Sequence, residues 1–306
     1  MNETVFASKQ LSKSYHKTVA LDNVSFQMAK GRIYGLIGEN GAGKTTLMRI
    51  MAGLAFPSAG NISLFGETEP ESLQRNRHKM GFVIEYPALH SDMTAQENLR
   101  LHQVIKSSAT HTQINELIQL VGLSAVGTKK VKHYSLGMKQ RLGIAIALVG
   151  CPDLLILDEP MNGLDPVGVV EIRNLLINLC KQKNITILIS SHMLAELYQL
   201  ADQYIFLHHG KVLKTFTAEA LDEECQKHIC LKTNAVEKSI TLLSSHLNIS
   251  NYKILEDETI CLFHCLDKQT QIAELMLRNG ILVSNLSVEG ENLEQYFMKL
   301  IGEVDT

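Results

Sequence analysis

A chain of 306 residues with 45% hydrophobic content can bury a sizeable core and hold one large domain or two smaller ones. A net charge of −3 with no long basic run argues against a nucleic-acid surface, and no run of roughly 18 apolar residues is present to span a membrane. Six cysteines without a CxxC pair, behind an N-terminus that lacks the apolar core of a signal peptide, point to free, mostly buried thiols in a reducing cytoplasm.

Over residues 1–220 short β-branched runs alternate with helical periodicity, the pattern of an α/β protein on a largely parallel sheet. Residues 32–37 read as a buried strand, and Leu47, Ile50, Met51 and Leu54 recur behind it at helical spacing. Between them GENGAGKTT, residues 38–46, matches the phosphate-loop pattern G-x-x-x-x-G-K-[ST] in the required strand and helix context. Gly41 and Gly43 would open backbone N–H groups toward a β-phosphate, and the helix start adds favourable charge. Lys44 would reach the β/γ oxygens of a nucleotide, Thr45 would hold Mg²⁺ and Thr46 would donate to the α-phosphate. Gly38, Asn40 and Ala42 would complete the phosphate-binding loop.

Downstream, GFVIEYPAL (81–89) leads out of the core, and from about 93 to 150 the strand signal disappears. That stretch reads as a helical insert with candidate helices at 97–105, 112–123 and 138–148. The last opens oddly. YSLGMKQR, residues 134–141, places Ser135 and Gly137 at the mouth of an alanine-rich helix, although glycine is among the worst residues for a helix interior.

The apolar run 154–157 then forms a central strand ending on Asp158 and Glu159. Asp158 is expected to bind Mg²⁺ through water, and Glu159 to accept a proton from the attacking water. Asp165 as N-cap and Pro166 at the first helical position open a helix over 167–181. A second central strand, 185–189, leads to His192, an imidazole able to hydrogen-bond a γ-phosphate and orient the water.

Beyond residue 220 alternating strands at ICLKT, TICLFHC and ILVSNLSV are separated by helical segments and closed by the helix LEQYFMKLI, which suggests a small α+β appendage of the βαββαβ kind over 221–306. In TICLFHC the alternation places Cys261 and Cys265 on one face and His264 on the other, which argues against a zinc site there.

The phosphate loop, the LLILDEP strand and His192 together resemble the nucleotide-binding subunits of ABC transporters over roughly residues 4–220. The resemblance implies a P-loop NTPase (RecA-like) core with a helical subdomain. It also explains Gly137: YSLGM stands where the family has LSGGQ, the stretch that closes over the ATP held by a partner subunit. Ser135 would donate its hydroxyl in trans, and Gly137 would let the backbone approach the γ-phosphate. By the same resemblance Tyr15 would stack on adenine with support from Val19, and the loop 162–165 would cross the dimer interface.

Two departures stand out. Glu85 occupies the position of the family's glutamine, where a carboxylate could still reach Mg²⁺ or the water but adds negative charge. Tyr134, Leu136 and Met138 replace a leucine, a glycine and a glutamine of LSGGQ. Together these features resemble the ATPases of bacitracin-resistance and lantibiotic self-protection exporters.

The resemblance therefore implies an ATPase on the cytoplasmic face of a Gram-positive membrane. It would bind two MgATP as a homodimer or with a paralogous ATPase and drive separate integral membrane permease subunits. Residues 87–98 would dock the permease. The same motor driving lipid or polysaccharide export, or peptide sensing, is the alternative. A soluble ABC ATPase of DNA repair or the ribosome is disfavoured, since neither a long coiled coil nor a second cassette is present.

Overall fold

The structure is a computed structural model and describes residues 3–106, 114–225, 227–255, 257–263, 265–289 and 293–305. The chain divides into two compact units, Met1–Ala218 and Glu219–Thr306.

The first unit runs β1 (Thr4–Tyr15), β2 (Thr18–Ala29), β3 (Ile33–Ile37), α1 (Lys44–Ala52), β4 (Ala59–Leu64), α2 (Pro70–Arg77), β5 (Met80–Val83), α3 (Ala95–Ile105), α4 (Ile114–Leu120), α5 (Leu136–Ala147), β6 (Leu154–Asp158), α6 (Pro166–Lys183), β7 (Thr186–Ser191), α7 (Leu194–Tyr198), β8 (Gln203–His208) and β9 (Lys211–Thr217). Its main sheet has the order β5-β6-β7-β3-β8-β9, parallel except for β9 at the edge. Strands β3, β6 and β7 are buried at every residue, as expected of parallel strands covered on both faces. A second, antiparallel sheet of order β2-β1-β4 adds to the unit and was not expected from sequence.

Helix α1 buries Leu47, Met48, Ile50 and Met51 in a cluster with Val5, Leu21, Leu154 and Leu188. Each such side chain contributes about 1.5–3 kcal/mol when fully buried. Leu54, expected on the same face, is not part of it. Gly53 takes a left-handed conformation and ends the helix, which leaves Leu54 exposed. Asp165 caps α6 by accepting from the Gly168 N–H at 3.3 Å, with Pro166 at the first position.

The expected helical insert is made by α3, α4 and α5. The start of the expected second helix, residues 112 and 113, lies outside the described residues. Thr94 and Glu97 form a reciprocal capping box on α3: the Thr94 N–H donates to Glu97 Oε2 at 2.7 Å, and the Glu97 N–H donates to Thr94 Oγ1 at 3.2 Å.

The second unit comprises α8 (Ala218–Cys225, which begins at the boundary), β10 (His228–Thr233), α9 (Val236–Leu247), β11 (Tyr252–Ile254), β12 (Ile260–Phe263), α10 (Gln269–Arg278), β13 (Val283–Glu289) and α11 (Leu293–Asp305). From β10 to β13 this is βαββαβ, with the antiparallel sheet order β11-β12-β10-β13. One sheet face carries Ile229, Leu231, Ile260 and Leu262, packed with Leu243 of α9 and Ile272 and Met276 of α10.

The two thiols of TICLFHC do not share a face. Strand β12 ends at Phe263, and Cys265, beyond it, turns into the core cluster with Ile260 and Leu262, whereas Cys261 alternates to the opposite face. His264 lies outside the described residues.

Candidate active site

Parallel pairing brings the ends of four strands together, and those ends carry the candidate site residues. Asp158 is in register with Ser190, Ile37 with Ser191, and Val83 with Leu157. The phosphate loop after β3, the carboxylates at the end of β6, His192 after β7 and Glu85 after β5 therefore meet at one edge, where open α/β sheets bind ligands. The cleft there has a volume of about 540 Å³. It is lined by Asn40, Gly41, Gly43, Lys44, Thr45 and Thr46 from the loop, with Glu85, Tyr86, Asp158, Glu159, Asn162, Gly163 and His192 opposite.

Gly43 has φ of 109°, and a Cβ there would meet the Ala20 carbonyl oxygen at 2.5 Å, so glycine is required twice over. Gly38 is likewise pressed against the Leu207 carbonyl, which a Cβ would meet at 2.4 Å, while Ala42 is buried and donates its N–H to the Glu39 carbonyl at 3.1 Å. Lys44 is buried, and its Nζ donates to the Gly38 and Glu39 carbonyls at 2.6 and 3.1 Å. That ammonium also stands 3.7 Å from Glu159 Oε1.

Asp158 is held from two sides. Thr45 Oγ1 donates to its Oδ2 at 2.8 Å and Ser190 Oγ donates to its Oδ1 at 2.5 Å. Ser190 is fully buried and also accepts from the Glu159 N–H at 2.9 Å, so one hydroxyl fixes both acidic residues. The Glu159 backbone has φ of 49°, a strained value for a non-glycine residue. Its Oε2 lies 2.6 Å from His192 Nδ1. The two hard oxygens of Asp158 and Thr45, side by side, fit Mg²⁺, which favours oxygen ligands.

Glu85 lines the cleft but is engaged by an ion pair with Arg49 of α1. The charge that the sequence places there is thus countered by a residue one turn beyond the phosphate loop.

Ser135 caps α5, accepting from the Met138 N–H at 3.3 Å, which leaves its hydroxyl hydrogen to donate elsewhere. A Cβ on Gly137 would meet only Leu164 Cδ2, at an ordinary 3.5 Å, so no crowding within the described residues demands glycine. From α5 the cleft takes in Leu136 and Gln140. Tyr15 and Val19 lie on the β1–β2 hairpin, both exposed, with Lys13 Nζ 4.8 Å from the Tyr15 ring centroid. Neighbouring Ala20 reaches the cleft wall.

Ser190, Arg49 and Gln140 were missed from sequence. The first had a signal, a polar residue closing an otherwise apolar strand. The other two had none, because a helical residue's facing depends on how the insert and α1 pack.

A second, apolar groove runs along the insert. It is lined by Leu54, Phe82, Ile84, Tyr86, Pro87, Ala88, His102, Gly143 and Ile146, with Tyr86 84% exposed. Burial lowers the His102 pKa; a hydrogen bond to the Ala88 backbone opposes this, and its buried Nε2 has no partner among the described residues. Among the described residues no helix is long and apolar enough to cross a membrane.

A family model described as ABC transporter matches residues 21–162. The bacitracin transport ATP-binding protein BcrA of Bacillus licheniformis is 38% identical over 98% of this chain and 98% of its own length. The lantibiotic transport ATP-binding protein SrtF of Streptococcus pyogenes is 44% identical over 67% of this chain and 87% of its own. Among solved structures, an ATP-binding subunit of an ABC transporter is similar with a TM-score of 0.64 and 30% identity, over 72% of this chain and 92% of that one.

Proposed function

The chain belongs to the ABC transporter ATP-binding family, and on that premise we propose that it powers a membrane permease exporting an antimicrobial peptide of the bacitracin or lantibiotic kind. Its activity is ATP hydrolysis. The observation that carries the catalytic assignment is the 2.6 Å contact between Glu159 Oε2 and His192 Nδ1 at the mouth of the phosphate loop. The cargo class is supported by the two transport relatives and by Glu85 and SLGM, which depart from the general pattern.

In this reading ATP lies along residues 38–46, and Lys44 exchanges the Gly38 and Glu39 carbonyls for the β/γ oxygens. Asp158 and Thr45 would hold Mg²⁺, whose charge would offset that of the phosphates. Glu159 takes a proton from the water that attacks the γ-phosphorus, while the bond from that phosphorus to the bridging oxygen of ADP breaks. His192 orients the water, and Ser190 keeps both carboxylates aimed. Tyr15, with Val19, carries the adenine.

A second cassette, a copy of this chain or a paralogue, supplies Ser135 and Gly137 in trans. Gly137 supports that arrangement because nothing among the described residues calls for a glycine there. The groove around Tyr86 and Pro87, at the head of residues 87–98, is the seat for the permease on the cytoplasmic membrane face of a Gram-positive cell.

The test is steady-state ATP hydrolysis by the purified chain with its permease in vesicles. Parent activity should require Mg²⁺ and fall by about 10²-fold or more in Glu159→Gln. Undiminished turnover in that variant would remove Glu159 as base. Stimulation by bacitracin or a lantibiotic would support the cargo class, and no response to any of them would count against it.

A further inference from the structure

The ATP chemistry draws on the first unit alone, yet the second carries a cluster of its own. On β10, His228 and Cys230 are two residues apart and share a face. Cys261 of β12 stands directly across from Cys230, and Phe263 directly across from His228. This is the face opposite Ile229, Leu231, Ile260 and Leu262, so the two helices that pack on that core do not reach it. The His228 and Phe263 rings lie 5.3 Å apart, which helps fix the imidazole. One imidazole nitrogen and two thiol sulfurs all fall within 4.8 Å of one another.

We propose that His228, Cys230 and Cys261 bind one thiophilic d¹⁰ cation, with Zn²⁺ as the physiological candidate. Two thiolates and an imidazole are borderline-soft donors that suit Zn²⁺ and disfavour Mg²⁺. Zn–S bonds of about 2.3 Å place tetrahedral ligands roughly 3.5–3.8 Å apart, so a small rotamer adjustment closes the trio on the ion. Both thiols are only 3% exposed, whereas the imidazole is half-buried. The ion would therefore enter past His228, the most exposed of the three ligands, and take a fourth ligand from solvent. Binding would displace two thiol protons and cross-link adjacent strands of the appendage.

The experiment uses the full-length chain, reduced, stripped with a chelator and dialysed against Zn²⁺ or Co²⁺. The expected result is one Zn²⁺ per chain and, with Co²⁺, the intense sulfur-to-metal charge-transfer absorption that oxygen ligands at the phosphate loop do not give. Both should be lost in C230S and C261S and kept in C151S, an exposed cysteine elsewhere. Because either buried serine could disturb folding, His228→Ala is included; it should lower the Zn²⁺ affinity at least tenfold while ATP binding stays at the parent level. Absence of the charge-transfer band in the reduced parent, or full Zn²⁺ binding by a folded C230S/C261S double variant, would overturn the proposal.

Discussion

Ser190 Oγ lies 2.5 Å from Asp158 Oδ1 and 2.9 Å from the Glu159 backbone nitrogen, so a single buried hydroxyl joins the candidate metal ligand to the candidate base. Ser190→Ala removes the donor to one and the acceptor for the other, at about 1–3 kcal/mol for each buried group left unpaired. We expect kcat to fall at least tenfold and the Mg²⁺ concentration for half-activation to rise. Cysteine at this position should be almost as poor, because sulfur accepts weakly. Titrating Mg²⁺ against turnover checks this.

Glu159 and His192 should differ in what their loss removes. Glu159→Gln keeps the shape and loses the base, lowering kcat by about 10²–10⁴-fold with ATP affinity retained. His192→Ala should also lower kcat, and its combination with Glu159→Gln should cost little more than Glu159→Gln alone, since the pair acts as a unit. Single-turnover hydrolysis and nucleotide binding, measured side by side, separate chemistry from affinity.

Arg49 and Glu85 form a half-exposed ion pair, 43% and 49% accessible, so its contribution to stability is below about 1 kcal/mol. Its effect on nucleotide should be larger. Arg49→Ala uncovers a carboxylate beside the phosphates and is expected to raise KM for ATP about fivefold. Glu85→Gln alone should change KM little, and the double variant should return toward the parent. A double-variant cycle on KM measures the coupling directly.

Glu97 belongs to the cap of α3, which bears on how permease docking is tested. Glu97→Lys forfeits the reciprocal hydrogen bond and reverses a charge at a helix start, and should lower Tm by roughly 2–4 °C for a unit of this size. Thr94→Ala should lose a similar amount. Tyr86→Ala, at an exposed position outside the cap, should leave Tm unchanged and weaken permease co-purification. Calorimetry and pull-down together distinguish the two effects.

His102 makes the insert acid-sensitive. Burial lowers its folded pKa below the unfolded value near 6.5, so the unfolded chain binds the extra proton more readily. Its contribution is fully present above about pH 6.5 and is lost as pH falls through the depressed folded pKa. Urea midpoints between pH 7.5 and 5 should therefore fall less steeply in His102→Gln than in the parent.

What the sequence revealed and what it hid divide along physical lines. The phosphate loop, the β6 carboxylates and the α6 cap were legible because each is local: a few adjacent residues carry both the structural signal and the chemistry. The β2-β1-β4 sheet was not, because register shifts between Ser8 and Leu11, between Leu11 and Lys13, and again between Lys13 and Ser14 break the alternation that would announce β1. Cys261 and Cys265 were misjudged because the alternation was carried past Phe263, where the strand stops. The Arg49–Glu85 pair and the His228, Cys230 and Cys261 cluster each join elements distant in sequence. Only strand order and helix facing bring such residues together.

The measurement that bears most directly on the whole account is the growth-inhibitory concentration of bacitracin and several lantibiotics, compared between the native host and a strain carrying Glu159→Gln at the chromosomal locus. A several-fold loss of resistance to one peptide is the expected outcome. Unchanged sensitivity to all of them, with ATP hydrolysis abolished in the purified variant, would contradict the peptide-export reading while leaving the ATPase intact.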